Sequence, residues 1–413
     1  MPKPQEICTI TVDGEQYSDW ESVWVHQEYG TASGMFRTFR VTASEQSPPA
    51  TDWSQIRITP GDWMTVELAG QLAISGYVYE RQAFYDAQRH GVMLAGQSRT
   101  GDIASTSIQT TQSQGTGLSG ESNVGQGGEY KGYNLQQIVN SVLGPSGILF
   151  KMMGAGGAVS KPFDRVQVTP GMSQWELIEQ LGRQRGVIYT DDEQGNLVGW
   201  GGLLGNFGNA GALIEGQNII SARCTIIDLT LASQTIAIGQ APGSDENWGK
   251  SRNQMVAQAF SGFMRRFRPL AFLTDHPIGL GEMSQRANFD AGWRDSELIT
   301  AEIEIYGWLN GDGALWKVMD MAHLDSPMLL MNQDLVVKAV TFMQDDAQGT
   351  RTLLELIDAK HFAGSGMTIP NTESPEQETS LPPSTPGLRY ARQPRRSGTQ
   401  SIQQRYSRHD NKG

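Results

Sequence analysis

Two glutamates between Ile299 and Tyr306 are the residues of this 413-residue chain best placed for acid–base chemistry. Glu302 and Glu304 stand two positions apart, so on a strand their side chains share one face. Two carboxylates on one face could serve as the acid and the base of a glycoside hydrolase. Apolar residues alternate with them, however, as in a half-buried strand. This pattern favours a solvated strand face for both glutamates.

Two glycine-rich stretches have spacings close to those of phosphate-binding loops. Residues Gly115 to Gly120 match the dinucleotide fingerprint, which also needs a buried strand before it and a helix after it. The flanking Ser, Thr, Gln and Gly residues favour neither, so a flexible loop is predicted. Residues Gly243 to Ser251 end in Gly-Lys-Ser, but one residue too many separates the glycines, and Asp245 and Glu246 would repel phosphate. No nucleotide cofactor is predicted.

The histidines and cysteines are too scattered to form a metal site or a disulfide framework. No pair of histidines has metal-ligand spacing, and neither cysteine, Cys8 or Cys224, has another beside it. Two distant cysteines fit folding in a reducing compartment, and the nucleophile elbow Gly-x-Ser-x-Gly is absent. We therefore predict no catalytic, cofactor-binding or metal-binding residue. The six histidines are His26, His90, His276, His323, His361 and His409.

Two basic clusters remain. Residues Phe263 to Arg268 mix arginine with phenylalanine and could grip nucleic acid, but in an acidic chain a subunit contact or a pocket for a neighbour's carboxylates is favoured. The C-terminal segment admits three interpretations, in this order: a solvated tail, a peptide that docks on an acidic partner, or a DNA contact. Its arginines are Arg389, Arg392, Arg395, Arg396, Arg405 and Arg408.

Composition limits the class of protein. The length predicts two to four domains, and a formal net charge of −12 argues against nucleic-acid binding as the main function. No run of about 18 apolar residues could span a membrane, and the N-terminus lacks the apolar core of a signal peptide. Insertion into a membrane is therefore not expected.

The segment from Glu297 to Asp358 is predicted to be an antiparallel meander that can close into a small barrel. Alternation over Ile299–Tyr306 predicts a strand. The sequence Asn-Gly-Asp-Gly at 310–313 then predicts a hairpin whose return strand begins at Leu315–Met319. Two further strands, Asp334–Phe342 and Thr350–Ile357, are joined by a turn at 345–349. Trp308 and Trp316 are predicted to be buried.

The first hundred residues are predicted to form another β domain of five or six strands with turn residues between them. Its tryptophans, including Trp20 and Trp63, are expected to be core residues. The predicted strand segments are Ile7–Val12, Trp20–Val25, Met35–Val41, Trp63–Leu68, Leu72–Tyr79 and Gly91–Gln97.

Helical signals follow the N-terminal strands. Asn134 can cap a helix that ends before Gly144, and Ser173 to Glu176 form a capping-box pattern that opens a second helix ending near Gly186. A small hairpin is predicted over 187–200. The later segments Asn218–Asp228 and Leu229–Gly239 are predicted to be strands. A third helix is predicted over Gly281–Trp293.

The predicted fold is multidomain α+β, with two small antiparallel β-barrel-like domains and an inserted small α+β domain. The predicted divisions are 1–99, the first β-barrel-like domain; 100–129, a Gly/Ser/Thr/Gln-rich surface loop; 130–212, the α+β domain; 213–361, the second β-barrel-like domain with a loop and helix insertion at about 242–295; and 362–413, a Pro/Ser-rich basic tail expected to be disordered.

The order and spacing of these parts resemble the baseplate hub proteins of contractile-tailed phages, most closely those of Mu-like phages. The resemblance covers roughly Ile7 to Asp358, and neither the loop at 100–128 nor the tail beyond Phe362 belongs to it. The segments that carry it are Ile10–Val25, Leu68–Val78, Asn134–Leu143, Ala301–Trp308 and Asp312–Trp316.

The resemblance implies a structural protein without catalysis. Such hubs are homotrimers with two similar barrel-like domains per subunit, so that a pseudo-sixfold ring joins the sixfold tail tube, or a tube-initiator protein, to the threefold central spike. Other baseplate proteins are implied partners, and DNA passes through the lumen without specific binding. The implied location is the virion tail baseplate, with assembly in the host cytoplasm. A negative lumen that keeps DNA off the wall is a further hypothesis.

Two alternatives remain open. One is a tail-associated peptidoglycan hydrolase. The loop and the tail contain too few apolar residues to fold into a further domain, which argues against this alternative. The other is a secreted carbohydrate-binding β protein, against which stand the missing signal peptide and disulfide framework. Exposed aromatic clusters on one β face would favour it.

Overall fold

Period-two alternation dominates the sequence, and strands dominate the structure. The computed structural model describes residues 6–44, 56–86, 90–108, 128–153, 157–201, 207–240, 249, 254–264, 266–274 and 279–359. All of them belong to one unit, Met1–Gln377. The tail at 362–413, both phosphate-loop candidates apart from Gly249, and most of the loop at 100–129 lie outside the described residues.

The strands divide into an N-terminal set, a short middle set and a C-terminal set. The N-terminal strands are β1 (Cys8–Val12), β2 (Glu15–Tyr17), β3 (Ser22–Glu28), β4 (Arg37–Ser44), β5 (Trp63–Leu68), β6 (Gln71–Tyr85) and β7 (His90–Ser98). The middle strands are β8 (Glu129–Tyr130), β9 (Phe150–Met153), β10 (Val166–Gln167), β11 (Val187–Asp191) and β12 (Leu197–Gly201). The C-terminal strands are β13 (Asn209–Ile214), β14 (Ile219–Ile226), β15 (Gln234–Gly239), β16 (Met255–Phe260), β17 (Pro269–Leu273), β18 (Ile299–Tyr306), β19 (Met321–Ser326), β20 (Met331–Asp345) and β21 (Gly349–Ile357).

Most helices of the described residues lie in the middle of the chain. They are α1 (Asp102–Ser105), α2 (Leu135–Leu143), α3 (Gly157–Ser160), α4 (Gln174–Arg185) and α5 (Leu280–Ser296). The caps predicted for α2 and α4 are confirmed. The Asn134 side chain accepts from the backbone N–H of Gln137, and that of Ser173 accepts from the N–H of Glu176.

One sheet of 13 strands runs from the C-terminal set into the N-terminal set. Its main path is β14-β18-β21-β20-β3-β4-β7-β6-β5-β1-β2, and β19 and β13 extend it from β20. The two halves meet where β20 pairs antiparallel with β3, with Trp24 opposite Met343. Strands from opposite ends of the chain therefore share one hydrogen-bonded surface.

The N-terminal strands are confirmed, but the burial of their tryptophans is not. Trp24 and Trp63 are each 39% exposed, and Trp20 is half-buried. Both exposed rings lie on strands at positions that alternate with buried valine or methionine. The pleat therefore directs them to the open face of the sheet, and the prediction that they are core residues is wrong.

The central segment forms the predicted strands with different neighbours. β18 matches the predicted strand, and the turn at 345–349 joins β20 to β21. Asn310 and Ala314 close a tight turn through an N–H to carbonyl bond of 2.8 Å, but Leu315–Met319 is not a strand. β18 pairs instead with β14 and β21. The predicted consecutive meander is therefore wrong at this point, because a strand's partner is selected by non-local packing.

The middle region forms an α+β layer with its own core. β11 and β12 make the predicted hairpin, β9 adds in parallel, and α2 and α4 bury Leu135, Ile138, Leu177 and Leu181.

The segment predicted to be a surface loop from residue 100 is buried at its start. Ile103 and Ile108 are buried in this same core, and the Ile108 N–H donates to the carbonyl oxygen of Met172. Its two isoleucines anchor the start of the segment.

The strands do not form two closed barrels in the described part of the single chain. The large sheet is open, and β15, β16 and β17 form a separate three-stranded sheet covered on one side by α5. The α+β class is observed, whereas the barrel-like form of the two β domains is not confirmed. The domain boundaries at 99, 129, 212 and 361 remain a prediction.

Candidate assembly surfaces

The open face of the large sheet displays a band of aromatic and paired charged side chains. Trp24 stacks on His26 at 5.4 Å, and Trp63 meets Tyr77 edge-on at 5.1 Å. Tyr306 is 75% exposed. These exposed rings are the feature that we expected of a carbohydrate-binding β face, but they are spread over several strands and separated by charges.

The charges on this face are arranged as ion pairs. The Lys338 Nζ lies 2.9 Å from Glu355 and 3.6 Å from Glu28, and Arg351 pairs with Glu304. Hydrogen bonding to His26, followed by the charge of Lys338, lowers the pKa of Glu28 although burial opposes this. Arg351 also lies near Asp345, so Lys338 and Arg351 each have two carboxylates beside them. These clusters therefore leave a net negative charge on the face.

The candidate carboxylate pair belongs to this face. Glu302 is exposed and lies 3.7 Å from Arg223, while Glu304 accepts from the Ser221 hydroxyl at 2.8 Å. Each glutamate thus has its own cation or donor on a neighbouring strand. This arrangement suits a solvated strand face better than an acid–base pair.

Strand β14 is an open edge of the large sheet. Within the described residues it pairs only with β18, and all eight of its side chains are exposed or half-buried. Ile220 and Ile226 are 36% and 39% exposed on this strand. An apolar edge strand with unpaired backbone groups is a template for another chain. This edge is the most evident association site on the large sheet.

A cavity of about 210 Å³ lies behind the large sheet, where its two halves meet the α+β layer. The Gln27 amide donates to the carbonyl oxygen of Trp316 at 2.7 Å, and Lys317 pairs with Glu193 at 2.9 Å. The Gln27 Oε1 and Trp316 Nε1 atoms are buried and have no hydrogen-bond partner among the residues that the structure describes, and such atoms are commonly satisfied by water. Polar contacts across this cavity therefore connect the large sheet with the α+β layer.

The basic and aromatic cluster predicted at 263–268 lies between β16 and β17. Phe267 is 88% exposed, and Arg266 pairs with Asp228 just after β14. The Arg268 guanidinium donates to the Asp228 carbonyl oxygen at 3.3 Å, and Arg265 lies outside the described residues. The cluster therefore links the end of the open edge to the three-stranded sheet.

The remaining candidates stay separate. Burial raises the pKa of the Cys8 thiol to about 12, and Cys224 lies on β14, with both cysteines free. His323 lies 2.7 Å from Asp334, and His90 stacks on Tyr85. His276, His361 and His409 lie outside the described residues.

Within the part of the chain that the structure describes, no His, Cys, Asp and Glu residues are grouped to hold a metal ion, and no helix is long and apolar enough to cross a bilayer.

Two family models match parts of the chain. The model described as Mu phage baseplate assembly protein GpP-like, N-terminal, covers residues 7–98. The model described as baseplate hub protein gp44-like, second domain, covers residues 120–199.

Known proteins are similar over most of the chain. The baseplate hub protein gp44 of Escherichia phage Mu is 25% identical over 366 residues, which are 86% of this chain and 88% of the relative. The 43 kDa tail protein of Shewanella oneidensis prophage MuSo2 has a TM-score of 0.69 at 22% identity, covering 87% of this chain and 99% of that one. A tail protein of Neisseria meningitidis MC58 has a TM-score of 0.69 at 15% identity, covering 87% and 98%. The resemblance inferred from the sequence is confirmed.

Proposed function

We propose, from the premise that this chain is a relative of the baseplate hub proteins of Mu-like phages, that it is a structural hub of a contractile tail. Three copies would form a ring that adapts the sixfold tail tube, or a tube-initiator protein, to a threefold central spike. The observation that carries the proposal is the open β14 edge on a sheet that already merges two sets of strands.

The sheet geometry supports a ring. Each chain offers β14 at one end of the main path of the sheet and the short β2 at the other. A contact between two different surfaces of identical copies is heterologous, and it closes into a ring when the rotation is right. Two β halves per chain would give three copies a pseudo-sixfold arrangement. Closure would also cover an edge that is otherwise prone to aggregation.

The open face of the sheet is the surface that we assign to the lumen. DNA would pass along it without specific binding, because glutamates beside Lys338 and Arg351 leave few free cations for phosphates. A lumen that proved basic in the assembled ring would contradict this part of the proposal. Other baseplate proteins would bind outside the ring.

We further propose that the protein acts without catalysis and resides in the tail baseplate after assembly in the host cytoplasm. The names of its relatives describe baseplate and tail proteins. Several ion pairs among the described residues join separate elements, as Lys338 does between β20 and β21.

The test is the mass of the full chain in solution by light scattering, alone and with a spike protein. A mass three times 45.2 kDa, in either condition, supports the ring. Ile226→Lys places a charge on the β14 edge and should lower the fraction of trimer, whereas Leu149→Lys, at a site 64% exposed outside the large sheet, should not. A chain that stays monomeric in both conditions contradicts the proposal.

A further inference from the structure

The three-stranded sheet has an apolar outer face that no described residue covers. Its side chains form three rows, each crossing β16, β15 and β17, and no charged side chain belongs to any row. Phe260 is 72% exposed, Leu273 is 75% exposed and Val256 is 45% exposed. The polar members are two glutamines that bond to each other at 2.8 Å. The rows are Val256, Ile238 and Leu273; Gln258, Ile236 and Ala271; and Phe260, Gln234 and Pro269.

The inner face of the same sheet is apolar as well, with Met255 buried and Phe272 partly buried. Ala237, Ala257 and Ala259 pack against α5, where they meet Met283 and Ala287. In a sheet with one solvated face, the larger apolar residues normally point inward and polar residues point outward. Here the outer face is apolar too, although the inner face already packs on α5. A sheet that is apolar on both faces indicates that the outer face is buried in the functional assembly.

The apolar surface continues to the open edge of the large sheet. Arg266 pairs with Asp228, the Arg268 N–H donates to the Ser233 hydroxyl, and Ser233 donates to the Arg268 carbonyl oxygen. These bonds hold exposed Phe267 and Leu229 between the end of β14 and the row formed by Phe260, Gln234 and Pro269. A molecule that pairs with β14 would therefore lie next to this face.

The chemistry of the face favours a permanent contact. Interfaces of obligate homo-oligomers resemble a domain core cut in half, whereas transient interfaces are more polar. Two arginines lie beside the face: Arg266 pairs with Asp228, and the Arg268 guanidinium donates to the Asp228 carbonyl oxygen. Both have partners within the chain, so the face requires no complementary charge from the molecule that covers it. Continuity with β14 points to the same neighbour that pairs with that edge.

We propose that the outer face of the β15-β16-β17 sheet, together with Phe267 and Leu229, binds a second copy of this chain. The proposal rests on the ring described above and assigns it a second contact. In that contact the outer face of one copy is covered by its neighbour, while β14 of the same copy forms the edge contact.

The test compares the trimer dissociation constants of full-length variants by sedimentation equilibrium. Val256→Glu and Leu273→Glu are combined, because the two residues flank Ile238 in one row. Burying two unpaired carboxylates in the contact should raise the dissociation constant by about 100-fold or more. Leu149→Glu is the matched control, at an exposed leucine outside this sheet, and should leave the constant unchanged. Circular dichroism and the midpoint of thermal unfolding verify that each variant is folded.

Each other outcome overturns the assignment in a distinguishable way. If the double variant forms a trimer with the same dissociation constant as the wild type, the second contact is excluded and the proposed ring is unaffected. A double variant that forms trimers but fails to yield particles assigns the face to a different protein. Faster hydrogen exchange of β16 after deletion of 362–413 assigns it to the chain's own tail. A wild-type chain that is monomeric in every condition contradicts the ring and the second contact together.

Discussion

Arg37 and Asp191 form a buried ion pair, with Arg37 Nε 2.8 Å from Asp191 Oδ1 and side chains that are 6% and 0% exposed. The pair joins β4 of the large sheet to β11 of the α+β layer. The Arg37 guanidinium also donates to the Ala73 carbonyl oxygen at 2.8 Å, and the Thr100 hydroxyl donates to Asp191 Oδ2 at 3.0 Å. Burial raises the pKa of Asp191, and the charge of Arg37 opposes that rise. The α+β layer is thus fixed on the sheet by a satisfied polar cluster.

Replacing Arg37 with methionine should lower the free energy of unfolding by about 3–5 kcal/mol. The variant leaves the Asp191 carboxyl buried without its cation, which costs more than the loss of an exposed pair. Urea denaturation measures the difference. Arg40→Met is the matched control, since Arg40 is exposed on the same strand and its loss should change stability by less than about 0.5 kcal/mol. Equal effects of the two substitutions would show that the buried pair is not a structural anchor.

Glu282 should make the packing of α5 on α4 dependent on pH. Burial raises the pKa of Glu282, but hydrogen bonds from Lys161 and Arg185 outweigh it and lower the pKa below the ordinary value. A carboxyl whose pKa is lower in the folded state adds stability above its unfolded pKa and loses it as the pH falls through the folded value. Glu282→Gln should therefore destabilise the protein near pH 7 and match the wild type more closely near pH 3. Thermal unfolding across this range measures it, and a pH-independent difference would contradict it.

Trp308 should be a major contributor to core stability. Its ring is 0% exposed, and its indole N–H donates to the Met343 carbonyl oxygen. Trp308→Ala should lower the free energy of unfolding by about 3–5 kcal/mol, and Trp316→Ala, at 3% exposure, should do the same. Tyr306→Ala, two residues away and 75% exposed, is the control. A loss below about 1 kcal/mol for either tryptophan would indicate a contact role instead.

Deleting residues 362–413 should leave the trimer intact and impair particle assembly. The segment carries six arginines after residue 388, in a chain whose net charge is −12, and we predict that it binds another baseplate or spike protein. Light scattering measures the trimer, and complementation of a phage lacking the gene measures assembly. Replacing the six arginines with glutamine in the full-length chain separates the effect of charge from that of length. Normal particle yields from the deletion would refute the prediction.

Local elements were predictable because the forces that form them act between near neighbours. Alternation marked β18, the turn at 345–349 marked the start of β21, and Asn134 and Ser173 marked the starts of α2 and α4. The family resemblance also came from such segments in order. The exposed positions of Trp24 and Trp63 were not predictable from residue type, since an aromatic ring suits a core or an open strand face equally.

The sequence by itself determined the N-terminal strands, β18, β21 and the starts of α2 and α4, the absence of metal-ligand spacing, and the family that the chain resembles. Only the tertiary structure decided which strands pair, because a partner is chosen by the free energy of burying non-local surfaces together. It merged the two β halves at β3 and β20 and brought Arg37 to Asp191. It also placed β14 at an edge where, among the described residues, only β18 pairs with it, and it turned Phe260 and Leu273 outward. Each of these features depends on segments far apart in the chain, and local periodicity contains no information about their distance in space.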